Sequence, residues 1–220
     1  MQLPAPFYEL DGQIAVDIPG ARAVFTTRSW GDVRETLPAI GKRVGVTPVR
    51  PRQVHGSSVV AAADIAADTE ADAVFATTGN LAPTVITADC VPIVIAAPGI
   101  VATVHAGWRG LAGGVISQTL AELQAHTDGP SALVFNGAIG PAAGACCYEV
   151  GPDLRDRFPD HTVGDNLDLK AIARQQLEAA GVTAIHDTGI CTICGTDPPL
   201  FSYRREGPAA GRQAAIAWLT

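Results

Sequence analysis

Short apolar segments separated by Pro, Gly and Asp predict a series of β-strands along this chain. These segments are rich in Val, Ile, Thr and Ala, which is typical of strands buried in a sheet. They occur at 22–27, 57–62, 84–87, 91–96, 100–105, 132–135, 183–186 and 213–219. Pro98-Gly99 lies between two of them and predicts a tight turn.

Two segments have the periodicity of amphipathic helices. In residues 111–126 the apolar side chains recur at helical intervals, namely at Leu111, Val115, Ile116, Leu120 and Leu123. Residues 168–180 form the second, with Asp168 as the N-cap and Gly181 after its end. Because strands occur both in pairs and in alternation with helices, we predict an α/β (α+β) fold with mixed β-sheets flanked by helices. We expect one domain over residues 1–220.

Composition and charge narrow the classes of function. The 220 residues have a net charge of -7 and contain only 15 Lys+Arg, without a basic cluster. Nucleic-acid binding needs a cationic surface, so we predict no nucleic-acid partner. No uninterrupted apolar run reaches the roughly 20 residues of a membrane span, and the N-terminal segment lacks a signal-peptide pattern. We therefore expect a cytoplasmic protein with no membrane partner, whose oligomeric state the sequence leaves open.

Five cysteines are present, at positions 90, 146, 147, 191 and 194. An odd number in a reducing compartment favours free thiols, metal ligands or nucleophiles over disulfides. Cys191 and Cys194 form a single CxxC motif, which we interpret as structural thiols because no second motif accompanies it. Cys146 and Cys147 follow a glycine-rich loop, and Cys147 is a candidate substrate contact.

Three segments place metal-binding side chains at strand ends beside small residues. His55 precedes one strand, Cys90 lies between two, and His105 ends another. Two imidazoles and one thiolate suit Zn²⁺, and three protein ligands leave the fourth position open, as in catalytic sites. Asp89 is placed to orient a ligand or to transfer a proton. Hydrogen-bonded histidines and a small buried cysteine are the alternative interpretation.

Basic and aromatic side chains nearby are candidate substrate contacts. The Gly107–Gly110 turn and the helix after it offer backbone N–H groups to an anion. Arg28 and Arg109 carry guanidinium groups suited to phosphate. Tyr203 lies beside two arginines and can contact a base, a ribose or an anion. A tight turn and a solvated edge strand account for the same segments without a ligand.

Seven motifs occur in one order along the chain: QVHG, TADC, HAGWRG, CCYEVG, NLDL, CT and FSYRREG. Together they resemble the YfiH (DUF152) family, which includes proteins once called polyphenol oxidases or laccase-domain proteins. The resemblance implies a mixed α/β fold related to bacterial cysteine-hydrolase-like toxin domains. It matches His55, Cys90 and His105 to the family's zinc ligands, with one zinc per chain, and Arg28 to an arginine that contacts substrate or phosphate.

The resemblance also implies phosphorolysis of purine nucleosides. Adenosine, inosine, guanosine or S-methyl-5′-thioadenosine would react with phosphate to give the base and a sugar 1-phosphate, and adenosine deamination is ascribed to the same site. The chain departs from the family pattern after Arg28, where SWGDVRETLPAIGKRVGV is shorter than the usual segment. A loop that covers the substrate is therefore expected to be reduced. The segment IGPAAGACCYEV is longer than its usual form.

Three other functions fit parts of the pattern. A copper oxidase needs more ligands than the chain supplies, because five histidines cannot furnish a multicopper cluster together with this site and the only methionine is Met1. A metal-assisted or cysteine hydrolase acting on a cell-wall precursor would use Cys90 or Cys147 as nucleophile and His105 as base. A non-enzymatic metal-binding protein is the third.

Overall fold

A computed structural model describes residues 1–126 and 133–220, and their strands form two six-stranded sheets and a small ribbon. The first sheet has the order β1 (Tyr8–Leu10), β2 (Gln13–Ile18), β3 (Ala21–Phe25), β14 (Gln213–Leu219), β7 (Leu81–Thr87) and β4 (Thr47–Val49). The second has the order β13 (Ala184–Asp187), β10 (Asn136–Ile139), β8 (Val91–Ala97), β9 (Ile100–Ala106), β6 (Ala73–Ala76) and β5 (Val59–Ala61). The ribbon pairs β11 (Thr162–Val163) with β12 (Asn166–Leu167).

The helices lie between the strands in the chain. The α-helices are α1 (Val33–Val44), α2 (Trp108–Ala112), α3 (Val115–Ala125), α4 (Pro152–Arg157), α5 (Leu169–Ala179) and α6 (Tyr203–Glu206). Short 3-10 helices occur at Arg28–Trp30, Ala62–Asp64, Pro159–His161 and Gly207–Ala209. In the described part of the chain, no helix is long and apolar enough to cross a membrane.

Three apolar clusters arrange these elements in four layers. The central cluster packs the two sheets face to face, with Val16 and Phe25 of the first sheet in the same cluster as Val94 and Val101 of the second. The outer face of the second sheet packs against α3 and α5, and the outer face of the first sheet packs against α1. Because both faces of β8 and β9 are covered, every residue of these two strands is buried.

The structure confirms the predicted fold class of mixed sheets flanked by helices. Parallel pairing occurs between β4 and β7, β5 and β6, and β10 and β13, and the other named pairs are antiparallel. The predicted strands at 84–87, 91–96, 100–105 and 213–219 correspond to β7, β8, β9 and β14. The second predicted helix is α5, and Asp168 caps it by accepting a hydrogen bond from the Ala171 backbone N–H.

Other predictions need correction. The helix expected over 111–126 is two helices, because Gly114 adopts a φ of +78° between α2 and α3. The strand expected over 132–135 is instead β10, which begins at Asn136; residues 133–135 are irregular and Ala132 lies outside the described residues. The segment after Arg28, for which the sequence predicted no helix or strand, contains α1, which packs on the first sheet.

Candidate metal centre and active site

The three predicted metal ligands converge. The ligand atoms of His55, Cys90 and His105 all lie within 4.8 Å of one another. His105 comes from β9, and Cys90 lies in the segment that carries the chain from β7 of the first sheet to β8 of the second. His55 precedes β5 with a φ of +59°, and its ring meets that of His105 edge to face at 4.8 Å between centroids. These three residues could hold a metal ion.

A buried aspartate positions both histidines. Asp72 is fully buried, and its Oδ1 accepts hydrogen bonds from the His105 ring Nδ1 at 2.7 Å and the His55 backbone N–H at 3.0 Å. Its Oδ2 accepts from the backbone N–H groups of Val54 at 3.2 Å and Gly56 at 2.6 Å. A carboxylate only accepts, so Nδ1 of His105 carries a proton, and Nε2 is the ring nitrogen left to bind a metal ion.

Electrostatics favour the metal-binding form of Cys90. Burial by itself raises the pKa of this thiol, but the charge and hydrogen bonds of His105, with His55, lower it to about 6. Burial lowers the pKa of His105, whereas the Cys90 charge and the Asp72 hydrogen bond raise it to about 9. The thiolate that a metal ion requires is therefore accessible at neutral pH.

Small residues make room for the three side chains. A Cβ atom on Gly107 would lie 3.0 Å from the Cys90 Sγ and 3.3 Å from the His55 Cδ2. Gly110 likewise packs against the Gly56 carbonyl, which a Cβ atom would approach to 3.0 Å. The glycines of the HAGWRG motif therefore allow the backbone to approach the metal-binding side chains.

The site opens into a cavity of about 540 Å³, within the usual range for small-molecule pockets. Metal-binding, polar, aliphatic and aromatic side chains share its wall: Gln53, His55, Ile86, Thr87, Ala88, Asp89, Cys90, His105, Tyr148, Tyr203, Arg204 and Arg212. Gln53 ties the His55 segment to β7, because its side-chain amide donates to the Ile86 carbonyl and accepts from the Ile86 N–H, both at 2.8 Å.

Asp89 holds the part of the cavity wall next to Cys90. It is buried and adopts a φ of +96° at the crossover between the sheets. Its Oδ1 accepts from the Thr192 hydroxyl at 2.6 Å, and its Oδ2 accepts from the Arg204 backbone N–H at 2.7 Å. Both carboxylate oxygens are therefore occupied by hydrogen bonds that fix the segment carrying Tyr203 and Arg204.

A family model described as multi-copper polyphenol oxidoreductase laccase matches residues 29–220. The chain belongs to this family. The YfiH family indicated by the seven motifs is the same group, since a curated relative 35% identical to this chain carries the name YfiH and a structural neighbour 33% identical carries the name DUF152.

Curated relatives in this laccase-domain family include purine nucleoside phosphorylases. The protein of that name from Pseudomonas aeruginosa is 37% identical over 202 residues, which cover 85% of this chain and 80% of the relative. The one from Corynebacterium glutamicum is 34% identical and covers 90% of this chain and 94% of the relative. A solved structure of a Neisseria meningitidis DUF152 protein is 33% identical with a TM-score of 0.81, covering 95% of this chain and 99% of that one.

Three of the predicted substrate contacts lie elsewhere in this YfiH-family structure. Arg28 forms an ion pair with Glu206 and donates from Nε to the Leu200 carbonyl at 2.8 Å, outside the cavity wall. Arg109 is exposed, with its guanidinium 4.5 Å from the Trp108 ring centroid. The sulfur of Cys147 lies with three other cysteines rather than in the cavity. None of these three side chains is part of the cavity wall described above.

Sequence reasoning missed Asp72 and Arg212 as site residues. Asp72 stands directly before the apolar strand β6, and a charged residue in such a place must find partners when it is buried. The position of Asp72 at the start of an apolar strand could therefore have been noticed in the sequence. Arg212 reaches the cavity only because β14, which it precedes, folds against the sheet crossover, and no local pattern shows this.

Proposed function

We propose that this chain is a zinc-dependent purine nucleoside phosphorylase. The observation that carries the proposal is that His55, Cys90 and His105 open into one cavity together with two arginines and two tyrosines. Such a wall can hold a metal ion, an anion and an aromatic base side by side. The names of the curated relatives support the reaction class.

The donor set fits zinc. Two imidazole nitrogens and one thiolate are ligands that Zn²⁺ accepts, and three protein ligands leave one position for substrate or water. When bound, the ion supplies a positive charge that stabilises negative charge developing on the substrate. A multicopper cluster is not supported, because His126, His161 and His186 do not line the cavity.

Arg204 and Arg212 are the proposed phosphate contacts. Each guanidinium donates to backbone carbonyls, that of Arg204 to Glu149 at 2.8 Å and that of Arg212 to Ala210 at 2.7 Å. Neither has a carboxylate partner among the residues that the structure describes. Their charges therefore remain available to an anion in the cavity, unlike that of Arg28, which Glu206 neutralises.

The tyrosines suit the nucleoside. Tyr203 is half exposed at the cavity wall, where its ring can stack on a purine. Burial, followed by the Cys90 charge, raises the pKa of Tyr148 above its ordinary value, so its phenol stays protonated at neutral pH. In phosphorolysis a phosphate oxygen bonds to the anomeric carbon while the C–N bond to the base breaks. The electron pair of that C–N bond goes to the base. Tyr148, in the cavity wall, would donate a hydrogen bond to the departing base.

Product analysis with adenosine, inosine, guanosine and S-methyl-5′-thioadenosine tests the proposal. We expect free base and sugar 1-phosphate in equal amounts, and only when inorganic phosphate is present. Formation of inosine from adenosine without phosphate would instead identify deamination as an activity of the site. No turnover of any of the four nucleosides by zinc-loaded protein would contradict the proposal.

One observation favours a second candidate, a cysteine hydrolase. The lowered pKa of Cys90 and the raised pKa of His105 are those of a thiolate–imidazolium pair, which nucleophilic cysteine enzymes use. Metal content separates the two, because a thiolate bound to zinc is not free to attack. A hydrolase would be inactivated by iodoacetamide when metal-free and inhibited by added zinc, whereas a phosphorylase would require the zinc.

A further inference from the structure

Four of the five cysteines form a second cluster outside the cavity. Cys146 and Cys147 follow the loop after β10, and Cys191 and Cys194 follow β13. Their sulfur atoms all lie within 4.8 Å of one another, and all four thiols are free. Sulfurs around a tetrahedral Zn²⁺, each about 2.3 Å from the ion, stand about 3.8 Å apart. The Cys146 and Cys194 sulfurs are 3.5 Å apart.

The backbone around Cys191 and Cys194 has the turn that a metal-binding CxxC motif needs. The Gly195 N–H donates to the Cys191 carbonyl at 2.9 Å, which closes the turn over the two sulfurs. A Cβ atom on Gly195 would lie 2.3 Å from that carbonyl oxygen, so only glycine fits there. The Gly144 N–H points at the Cys191 sulfur at 3.3 Å, as N–H groups do toward metal-bound thiolates.

Two backbone bridges hold the cysteine pairs opposite each other. The Thr192 N–H donates to the Ala142 carbonyl at 2.9 Å, and the Ala142 N–H donates to the Ile190 carbonyl at 3.3 Å. The Arg205 guanidinium donates to the carbonyls of Thr192 and Ile193, both at 2.8 Å, and brings a positive charge next to the cluster. The four thiols therefore meet through two segments that are already paired.

We propose that Cys146, Cys147, Cys191 and Cys194 bind a second Zn²⁺ as a closed four-thiolate structural site. Four protein ligands leave no position for substrate, which is the arrangement of structural zinc. Binding replaces the protons of the four thiols, which are released to solvent, by zinc–sulfur bonds.

The proposed ion would brace two parts of the cavity wall. Tyr148, which lines the cavity, directly follows Cys147. Thr192, which lies within the CxxC turn, donates its hydroxyl to Asp89, which also lines the cavity. Loss of this zinc is therefore expected to loosen the segments carrying Tyr148 and Asp89 without removing any ligand of the first metal site.

Metal analysis of protein purified without oxygen tests the second site. We expect two zinc ions per wild-type chain, one in Cys90→Ser and one in Cys194→Ser. X-ray absorption of Cys90→Ser should show a zinc shell made only of sulfur, at about 2.3 Å. This variant keeps all four cluster thiols, so the measurement does not depend on how well the cluster variants fold.

The control and the contradicting outcomes are distinct. Ser117→Ala removes an exposed hydroxyl on α3 and should retain two zinc ions. A metal-free Cys90→Ser, a nitrogen-containing zinc shell in that variant, or iron in place of zinc would overturn the proposal. So would a disulfide between Cys146 and Cys194 in the anaerobically purified chain, found by counting free thiols. These measurements report metal content and thiol state and not nucleoside turnover, so the phosphorylase proposal is tested separately.

Discussion

Replacing Asp72 by Asn tests how the metal centre is held. The amide has the shape of the carboxylate but only one accepting oxygen, whereas four N–H groups point at Asp72. In one orientation the Asn oxygen accepts from the Val54 and Gly56 N–H groups. The Asn NH₂ then faces the His55 N–H and His105 Nδ1, and neither of these two groups has an acceptor. The His105 proton then moves to Nε2, and the ring loses the lone pair that would bind zinc.

The opposite orientation of the amide is also unfavourable. Its NH₂ then faces the backbone N–H groups of Val54 and Gly56, and two buried donors lose their acceptor. Each such loss costs about 1–3 kcal/mol, so we expect Asp72→Asn to lower the free energy of unfolding by about 2–4 kcal/mol. The first orientation misdirects His105, and the second removes two hydrogen bonds from the segment that carries His55. In both, zinc affinity should fall about 10- to 100-fold.

Two assays measure these effects. Chelator competition gives the zinc affinity, and urea unfolding of the metal-free chain gives the stability without the contribution of bound metal. Asp68→Asn is the matched control, because Asp68 is exposed and the same substitution there should change neither quantity. Wild-type zinc affinity in Asp72→Asn would refute the reasoning, since it would mean that His105 needs no carboxylate to present Nε2.

Three further predictions follow from particular contacts. Arg212→Gln should raise the KM for phosphate about 10-fold, equal to about 1.4 kcal/mol, with a smaller change in kcat, whereas exposed Arg157→Gln should not. Glu206→Gln should destabilise the chain by about 1 kcal/mol at pH 7. Burial raises the pKa of Glu206, but the hydrogen bond from Arg28 lowers it to a net value below the ordinary 4.5. The difference in unfolding free energy between wild type and variant should therefore shrink as the pH falls below 4.5 and the wild-type carboxyl becomes protonated. Gly140→Ala should lower the melting temperature by several degrees, because its Cβ would lie 2.4 Å from an aromatic carbon of β3.

Much of the central fold was predictable from local pattern. The strands β7, β8, β9 and β14 are mostly apolar, because the sheets are covered on both faces. Helix α1 was missed because Pro38 and Gly41 interrupt its pattern, although Asp32 caps it and Gly45 ends it with a φ of +78°. Here packing on the first sheet outweighs the low helix propensity of those two residues.

The candidate site was only partly predictable. The sequence named His55, Cys90 and His105, since their side-chain chemistry and positions at strand ends suit a metal. It also suggested Arg28 and Cys147 as substrate contacts, but the structure gives each another set of partners. A guanidinium pairs with whichever carboxylate folding brings near it, and that choice depends on contacts distant in the chain.

The sequence by itself determined which side chains can bind a metal and which apolar segments must be buried. Only the tertiary structure decided which donors meet, because the crossover from β7 to β8 brings Cys90 beside His105 and turns Asp89 toward Thr192. The same folding buries Asp72 and gathers four cysteines from two distant loops. These pairings depend on the direction of each side chain in space, which local periodicity does not encode.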